Sequence, residues 1–180
     1  MATPVVAFAQ LATECEKEGL SHKNAERIGQ ELAKQFNVHP DEVGILRLEK
    51  QNLVFVYPTK LGTVGSIPLN TSGSVAARTA NTKRAEVINA FAQTKHISVF
   101  ESVELSGKPK VIGAVSDDAE KHSHVIPKMM SAPVVGSEGT VGVVEVCRKG
   151  SSGPDAGPDF SPMELQKLVA ICGALAKCFK

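Results

Sequence analysis

Two apolar, valine-rich runs on either side of a glycine-bounded turn constrain this chain more than any other feature. Met129-Met130-Ser131-Ala132-Pro133-Val134-Val135 leads into a turn from Gly136 to Gly139, and Thr140-Val141-Gly142-Val143-Val144-Glu145-Val146-Cys147 follows. β-branched side chains fit a pleated, half-buried surface, and a short turn containing Gly folds one such run back on the other. The spacing therefore predicts an antiparallel strand pair, closed by Arg148-Lys149-Gly150. A Gly/Pro-rich surface loop from Ser151 to Pro158 comes next, too short for a domain linker, and then Ser161-Pro162-Met163-Glu164. Ser at the cap, Pro in the first turn and Glu three residues on mark a helix start. Leu165, Leu168, Val169, Cys172, Leu175, Ala176 and Phe179 form a broad apolar stripe along that helix.

The N-terminal third follows the same logic. Thr3-Pro4 opens a helix with Val5, Phe8, Ala9, Ala12 and Cys15 on one side, ending at Gly19. Ser21 caps a second helix whose Ala25, Ile28, Gly29, Leu32, Ala33 and Phe36 keep helical spacing. After a break around Pro40, Val43, Ile45, Leu46 and Leu48 predict a strand, and Leu53 to Tyr57 its hairpin partner, ended by Pro58. From Gly62 to Gly73 the chain is rich in Gly, Ser, Thr and Pro and reads as an irregular crossing. Residues 90 to 125 have no clear period. A long irregular segment inside a compact domain is usually functional or wrongly assigned.

Composition removes several function classes. At 180 residues, one domain, 1–180, is expected, with N-terminal helices in 1–40 and the sheet, middle segment and C-terminal helix in 41–180. A chain this long buries roughly two-thirds of its unfolded surface, enough for a core without covalent staples. Lys plus Arg number 20 against 19 Asp plus Glu, a net charge of +1 that gives no general attraction to nucleic acid or membrane. With no Trp and one Tyr, a base-stacking surface is poorly supplied. Cys15, Cys147, Cys172 and Cys178 form no Cys-x-x-Cys pair and sit in apolar patterns, as small buried hydrophobes of a reducing compartment do. No segment has the span of a transmembrane helix and the N-terminus lacks a basic leader, so a cytoplasmic, soluble chain is expected.

The order of these pieces resembles the C-terminal half of a GAF domain, a small-molecule-binding and dimerisation module of signalling proteins. The resemblance rests on Ala132-Pro133-Val134, Val141-Gly142-Val143-Val144, Arg148-Lys149-Gly150 and Asp159-Phe160-Ser161 in that order. Upstream, Gly73 to Ala80 looks like the family's short middle helix and Val87-Ile88-Asn89 like the strand after it. The resemblance implies an α+β fold: a central antiparallel sheet of five or six strands, terminal helices packed on one face, pocket loops and short helices on the other. It also implies that the segment from Gly62 to Ile126 covers a ligand pocket. Three amphipathic helices exceed what one sheet face requires, so surplus apolar surface points to a homodimer through the terminal helices or to a separate signalling partner.

Ser74, Arg78, Phe100, Met129, Met130, Ser131 and Glu145 are the ligand-binding candidates, from apolar position and family topology. Ser72-Gly73-Ser74 opens a helix whose free amides suit an anion, although ordinary capping explains the same residues. Met129-Met130 fits core filling or an adaptable pocket floor. Strand alternation puts Glu145 with Val143 and Cys147 on one face, at least half buried, where an unpaired carboxylate is costly. Arg78, Arg148 or a hydroxyl would satisfy it, or else it anchors a ligand. His122-x-His124 supplies only two imidazoles, so no metal site is assigned, and nothing in the sequence identifies a cofactor. The cyclic-nucleotide signature of some GAF relatives is met only loosely: Lys83 does not adjoin Asn81, and Leu105 follows Glu104 where an acid belongs. No catalytic residue is assigned either. The alternative is a thiol-dependent methionine sulfoxide reductase of the same fold. Its reactive thiolate would need a basic setting, and only Cys147, before Arg148-Lys149, has one.

Overall fold

A computed structural model describes residues 3–62, 66–90, 125–150 and 154–180. The predicted strand pair stands at the heart of the sheet as β5 (Val125–Gly136) and β6 (Gly139–Gly150), joined through Ser137-Glu138. With β1 (Val43–Glu49), β2 (Asn52–Tyr57), β3 (Ser66–Pro68) and β4 (Glu86–Ile88) it makes one antiparallel sheet of six strands, ordered β3-β2-β1-β6-β5-β4. Among the described residues four α-helices accompany it: α1 (Pro4–Cys15), α2 (His22–Phe36), α3 (Val75–Thr82) and α4 (Pro162–Leu175). The α+β arrangement expected from the sequence is therefore present. Two details differ. Arg148-Lys149-Gly150 continues β6 instead of closing it, and the Gly62–Gly73 crossing contains β3, three residues that pair with β2.

The sheet separates two apolar cores. One face carries Val43, Ile45, Tyr57, Met130, Ala132, Val134, Val144 and Val146, covered by α1, α2 and α4. The other carries Leu46, Leu53, Phe55, Met129, Val143 and Cys147 against Val75, Ala76, Ala77 and Ala80 of α3. Thus the three long helices spend most of their apolar stripes on one sheet face. Their ends follow local rules: Ser21 Oγ accepts from the Asn24 amide, and Ser161 and Glu164 form the expected capping box.

Two glycines set the distance between helices and sheet. At Gly29 on α2, an added Cβ would lie 2.5 Å from the Tyr57 ring, whose hydroxyl donates to the Pro40 carbonyl. At Gly142 on β6, an added Cβ would lie 2.4 Å from both the Leu46 carbonyl oxygen and the Phe179 ring. Since Leu46 O is backbone, the strand itself must shift. Gly142→Ala is therefore expected to destabilise the fold by about 1–3 kcal/mol, as overpacking does. Gly173→Ala on α4, where an added Cβ meets nothing within 4 Å, should stabilise by about 0.5–1 kcal/mol. Urea unfolding of the two variants checks both signs.

Candidate functional site

The α3 face of the sheet is built in cross-strand rows. Ile88, Met129 and Cys147 form one apolar row, and Val143, Leu46 and Phe55 another. Between them runs a polar row: Glu86 on β4, Ser131 on β5, Glu145 on β6 and Gly44 on β1. The alternation expected for β6 holds, and Glu145 is only 1% exposed, more deeply buried than its sequence neighbours required. Gly44 opposite it brings no side chain, so β1 places nothing beside the carboxyl group.

Strand β5 and helix α3 supply the partners. Thr79 Oγ1 lies 2.8 Å from Ser131 Oγ, and Ser131 Oγ donates to Glu145 Oε1 at 3.3 Å. When Ser131 donates to Glu145, Thr79 donates to Ser131, so the three groups form one buried relay. Thr79 and Ser131 are both wholly buried. Glu145 Oε2 finds no hydrogen-bond partner among the described residues. A buried polar atom left unpaired costs about 1–3 kcal/mol, which makes this orphan the most informative atom of the face. Burial pushes the Glu145 carboxyl up to about 8, against a smaller opposing effect of the Ser131 hydrogen bond, and Glu86 pushes the same way as burial. At neutral pH the group is mostly protonated.

The candidates from sequence divide between the two faces. Met129, Ser131 and Glu145 share the α3 face and sit in adjoining rows. Met130 does not join them: adjacent strand residues point to opposite faces, and Met130 is packed among the terminal helices. Ser74 caps α3, its hydroxyl accepting from the Ala77 amide. Arg78 lies at the rim, partly exposed, with Nε 2.9 Å from Glu86 Oε1, so it satisfies Glu86 and not Glu145. Arg148 points to the helix face instead, where its guanidinium stacks over the Phe160 ring at 4.0 Å and donates to the Pro158 carbonyl. Of the three partners foreseen for Glu145, the hydroxyl is the one present. Phe100, Glu104, Leu105, His122 and His124 lie outside the described residues, as does most of the segment expected to cover the pocket. Among the described residues no group of three metal-ligating side chains occurs.

Thr79 escaped the sequence reading because its role is set by a contact 52 residues away in the chain. Asn89 escaped it too. Its side-chain amide donates to the Phe160 carbonyl and accepts from the Phe160 amide, tying the end of β4 to the residue before the α4 cap.

The four thiols are all buried. Burial holds Cys147 well above the ordinary thiol range despite Lys149, and pushes Cys172 up to about 12 and Cys178 to about 11. The basic neighbours of Cys147 thus fail to make a thiolate, because its side chain turns into the α3-side core.

The fold is that of GAF domains. The structure is similar to the GAF domain of an Acinetobacter phosphoenolpyruvate-protein phosphotransferase, with TM-score 0.63 and 15% identity over 99% of this chain and 94% of that one. It is similar to the A. aeolicus nlh2 GAF domain in an inactive state, with TM-score 0.58 and 13% identity over 98% and 95%. A free methionine-R-sulfoxide reductase from Neisseria meningitidis, in complex with its substrate, matches with TM-score 0.56 and 13% identity over 99% and 92%. At these identities the likeness defines a GAF-like fold and no single activity. No protein-family model matches the sequence, and a search of curated proteins finds no match.

The buried acid makes a pH prediction. Its ordinary carboxyl value is 4.5 and its folded value about 8, so between those limits the folded state holds more proton than the unfolded one. Its contribution to stability is therefore fully retained below about pH 4.5 and lost as pH rises toward 8, at up to about 1.4 kcal/mol per pH unit. Glu145→Gln removes this loss. The difference in unfolding free energy between variant and wild type should move in the variant's favour from pH 5 to about pH 8, read by urea titration at each pH.

Proposed function

We propose that the chain is a small-molecule-binding sensory module of GAF type, with the Thr79–Ser131–Glu145 relay as the polar anchor of its ligand and Met129 as part of the apolar floor. The observation that carries this reading is the orphaned Oε2 of a fully buried carboxyl group on the α3 face. A few polar groups converging in an apolar surround are what fix a ligand's orientation. Ser74 and Arg78 border the same helix, Arg78 as a rim cation held by Glu86. Phe100 completes the proposed set from the sequence.

The signal leaves through the terminal helices. The paired hydrogen bonds of Asn89 with Phe160 join the strand at the pocket edge to the start of α4. Movement of β4 on ligand binding therefore bears on α4 directly, as a difference in contacts between two states must for coupling. Helices α1 and α4 pack together and keep Val6, Met163 and Val169 exposed. These are the residues we assign to a homodimer interface or to a separate signalling protein, in a cytoplasmic setting where the four thiols stay reduced.

A thiol-dependent reductase of this fold needs an accessible thiolate, and the buried, proton-holding cysteines favour binding over that chemistry. Timed alkylation of the native protein separates the two. Slow labelling of all four cysteines is expected, whereas rapid modification of Cys147 restores the enzyme. A thermal-shift screen against nucleotides, amino acids and metabolites should give hits that Glu145→Gln and Ser131→Ala weaken about tenfold or more, the scale of one buried polar group losing its partner. A library without hits would leave only assembly. For assembly, Val169→Glu should shift the species toward monomer in light scattering coupled to size exclusion, without loss of thermal stability per monomer.

A further inference from the structure

The same relay indicates which ligand chemistry it accepts, an argument that rests on the binding reading above. Three observations bear on charge. Glu145 Oε2 is unpartnered among the described residues, and Oε1 already accepts from Ser131. The next side chain along the row with an ionisable group is another acid, Glu86. Arg78, the cation of α3 nearest in sequence to Thr79, is engaged by Glu86 at 2.9 Å. Lys128 and Arg148 are spent on the opposite face, Lys128 Nζ on the Gly157 carbonyl and Asp159, Arg148 on Pro158 and Phe160. With Glu145 neutral, the row holds one carboxylate paired to one guanidinium. Once Glu145 gives up its proton the row carries one unbalanced negative charge, which an arriving cation neutralises and an arriving anion does not.

We propose that Glu145 Oε2 is the binding point for the protonated nitrogen of a small ligand, an aliphatic amine or the ammonium group of an amino acid, whose apolar remainder packs beside Met129 and Cys147. The relay keeps Oε1 occupied from behind, so that Oε2 is the oxygen left for the ligand. The proton balance is simple. Free protein carries Glu145 as the neutral acid; the ligand arrives as R–NH3+; the carboxyl proton leaves to buffer; a charge-assisted N–H···O pair remains. Such pairs are roughly twice as strong as neutral hydrogen bonds. Gly44, opposite the carboxyl group, leaves β1 without a side chain that would compete for the position.

The competing chemistry is a ligand that accepts a hydrogen bond from the neutral acid, such as a carbonyl or carboxylate. Calorimetry separates the two. Matched pairs serve as probes: isobutylamine with isobutanol, phenethylamine with phenethyl alcohol, and leucine with 2-hydroxyisocaproate. Each is titrated into the wild-type protein at pH 6.5, 7.5 and 8.5 in buffers of different ionisation enthalpy. Amines should bind at least about tenfold tighter than their alcohols, a difference of about 1.4 kcal/mol. They should release close to one proton at pH 6.5, and below about pH 8 affinity should rise up to about tenfold per pH unit. Glu145→Gln should erase the preference for amine over alcohol, because an amide carries no charge. Ser131→Ala, which leaves the acid in place, should retain the preference with weaker binding.

The proton release needs no variant, so a Glu145→Gln protein that fails to fold leaves the test intact. Equal binding of amine and alcohol, or binding with no proton release, overturns the inference. So does retention of the preference in folded Glu145→Gln. If other metabolites from the thermal-shift library bind while these amines do not, the amine assignment falls and the sensory reading stands. If nothing binds, both fall.

Discussion

The register of the β5–β6 hairpin decides which face of the sheet Met129, Met130, Ser131 and Glu145 occupy. Gly136 pairs with Gly139 across Ser137-Glu138, and Gly139 has φ +130°, a conformation that side-chain-bearing residues rarely adopt. Val141 is bulged out between the pairs Val135–Thr140 and Val134–Gly142, after which the ladder runs unbroken to Lys128–Arg148. A slip by one residue would turn Glu145 into the helix-side core and send Val144 and Val146 to the α3 face. The turn and the bulge together hold one acid in one place, and the helices could not pack on the slipped sheet.

Around that hairpin the polar groups are distributed by face. On the helix side, Lys128 and Arg148 are buried, but both are spent on the stretch from Gly157 to Glu164, which they bind to the sheet through carbonyls, Asp159, the Phe160 ring and Glu164. Buried charges with several partners each are structural anchors for the start of α4. On the α3 side, the relay from Thr79 ends in an atom with no partner among the described residues. The contrast separates the two sets. One is closed on itself and explains the position of a helix; the other ties α3 to β5 and is left open at one oxygen.

Much of this was legible in the sequence, and the failures have physical causes. The hairpin, the Ser161 capping box and the burial of Glu145 follow from period-two alternation and from the chemistry of helix starts, both local rules. The sequence leaves Met129-Met130 open to core filling or a shared pocket floor, and the same alternation sends the two to opposite faces. β3 was missed because three residues in a Gly/Ser/Thr/Pro stretch carry no period and take their structure from pairing with β2. Thr79 was beyond reach for a different reason: it lies 52 residues from Ser131 and only the docking of α3 brings the two together, whereas Ser131 faces Glu145 across the hairpin. Arg78 and Arg148 were plausible by charge alone, and geometry assigns both elsewhere.

An acid in an apolar core costs stability, and its replacement by an apolar residue of similar volume is often neutral or stabilising. Val143 and Cys147 flank Glu145 on its own face, and Met129 and Val143 lie in the rows beside it. A valine there would extend the apolar surface without interruption. The relay that orients the carboxyl group draws on two strands and a helix. Three elements position one oxygen that has no partner among the described residues, and the binding role proposed for the α3 face rests on that atom.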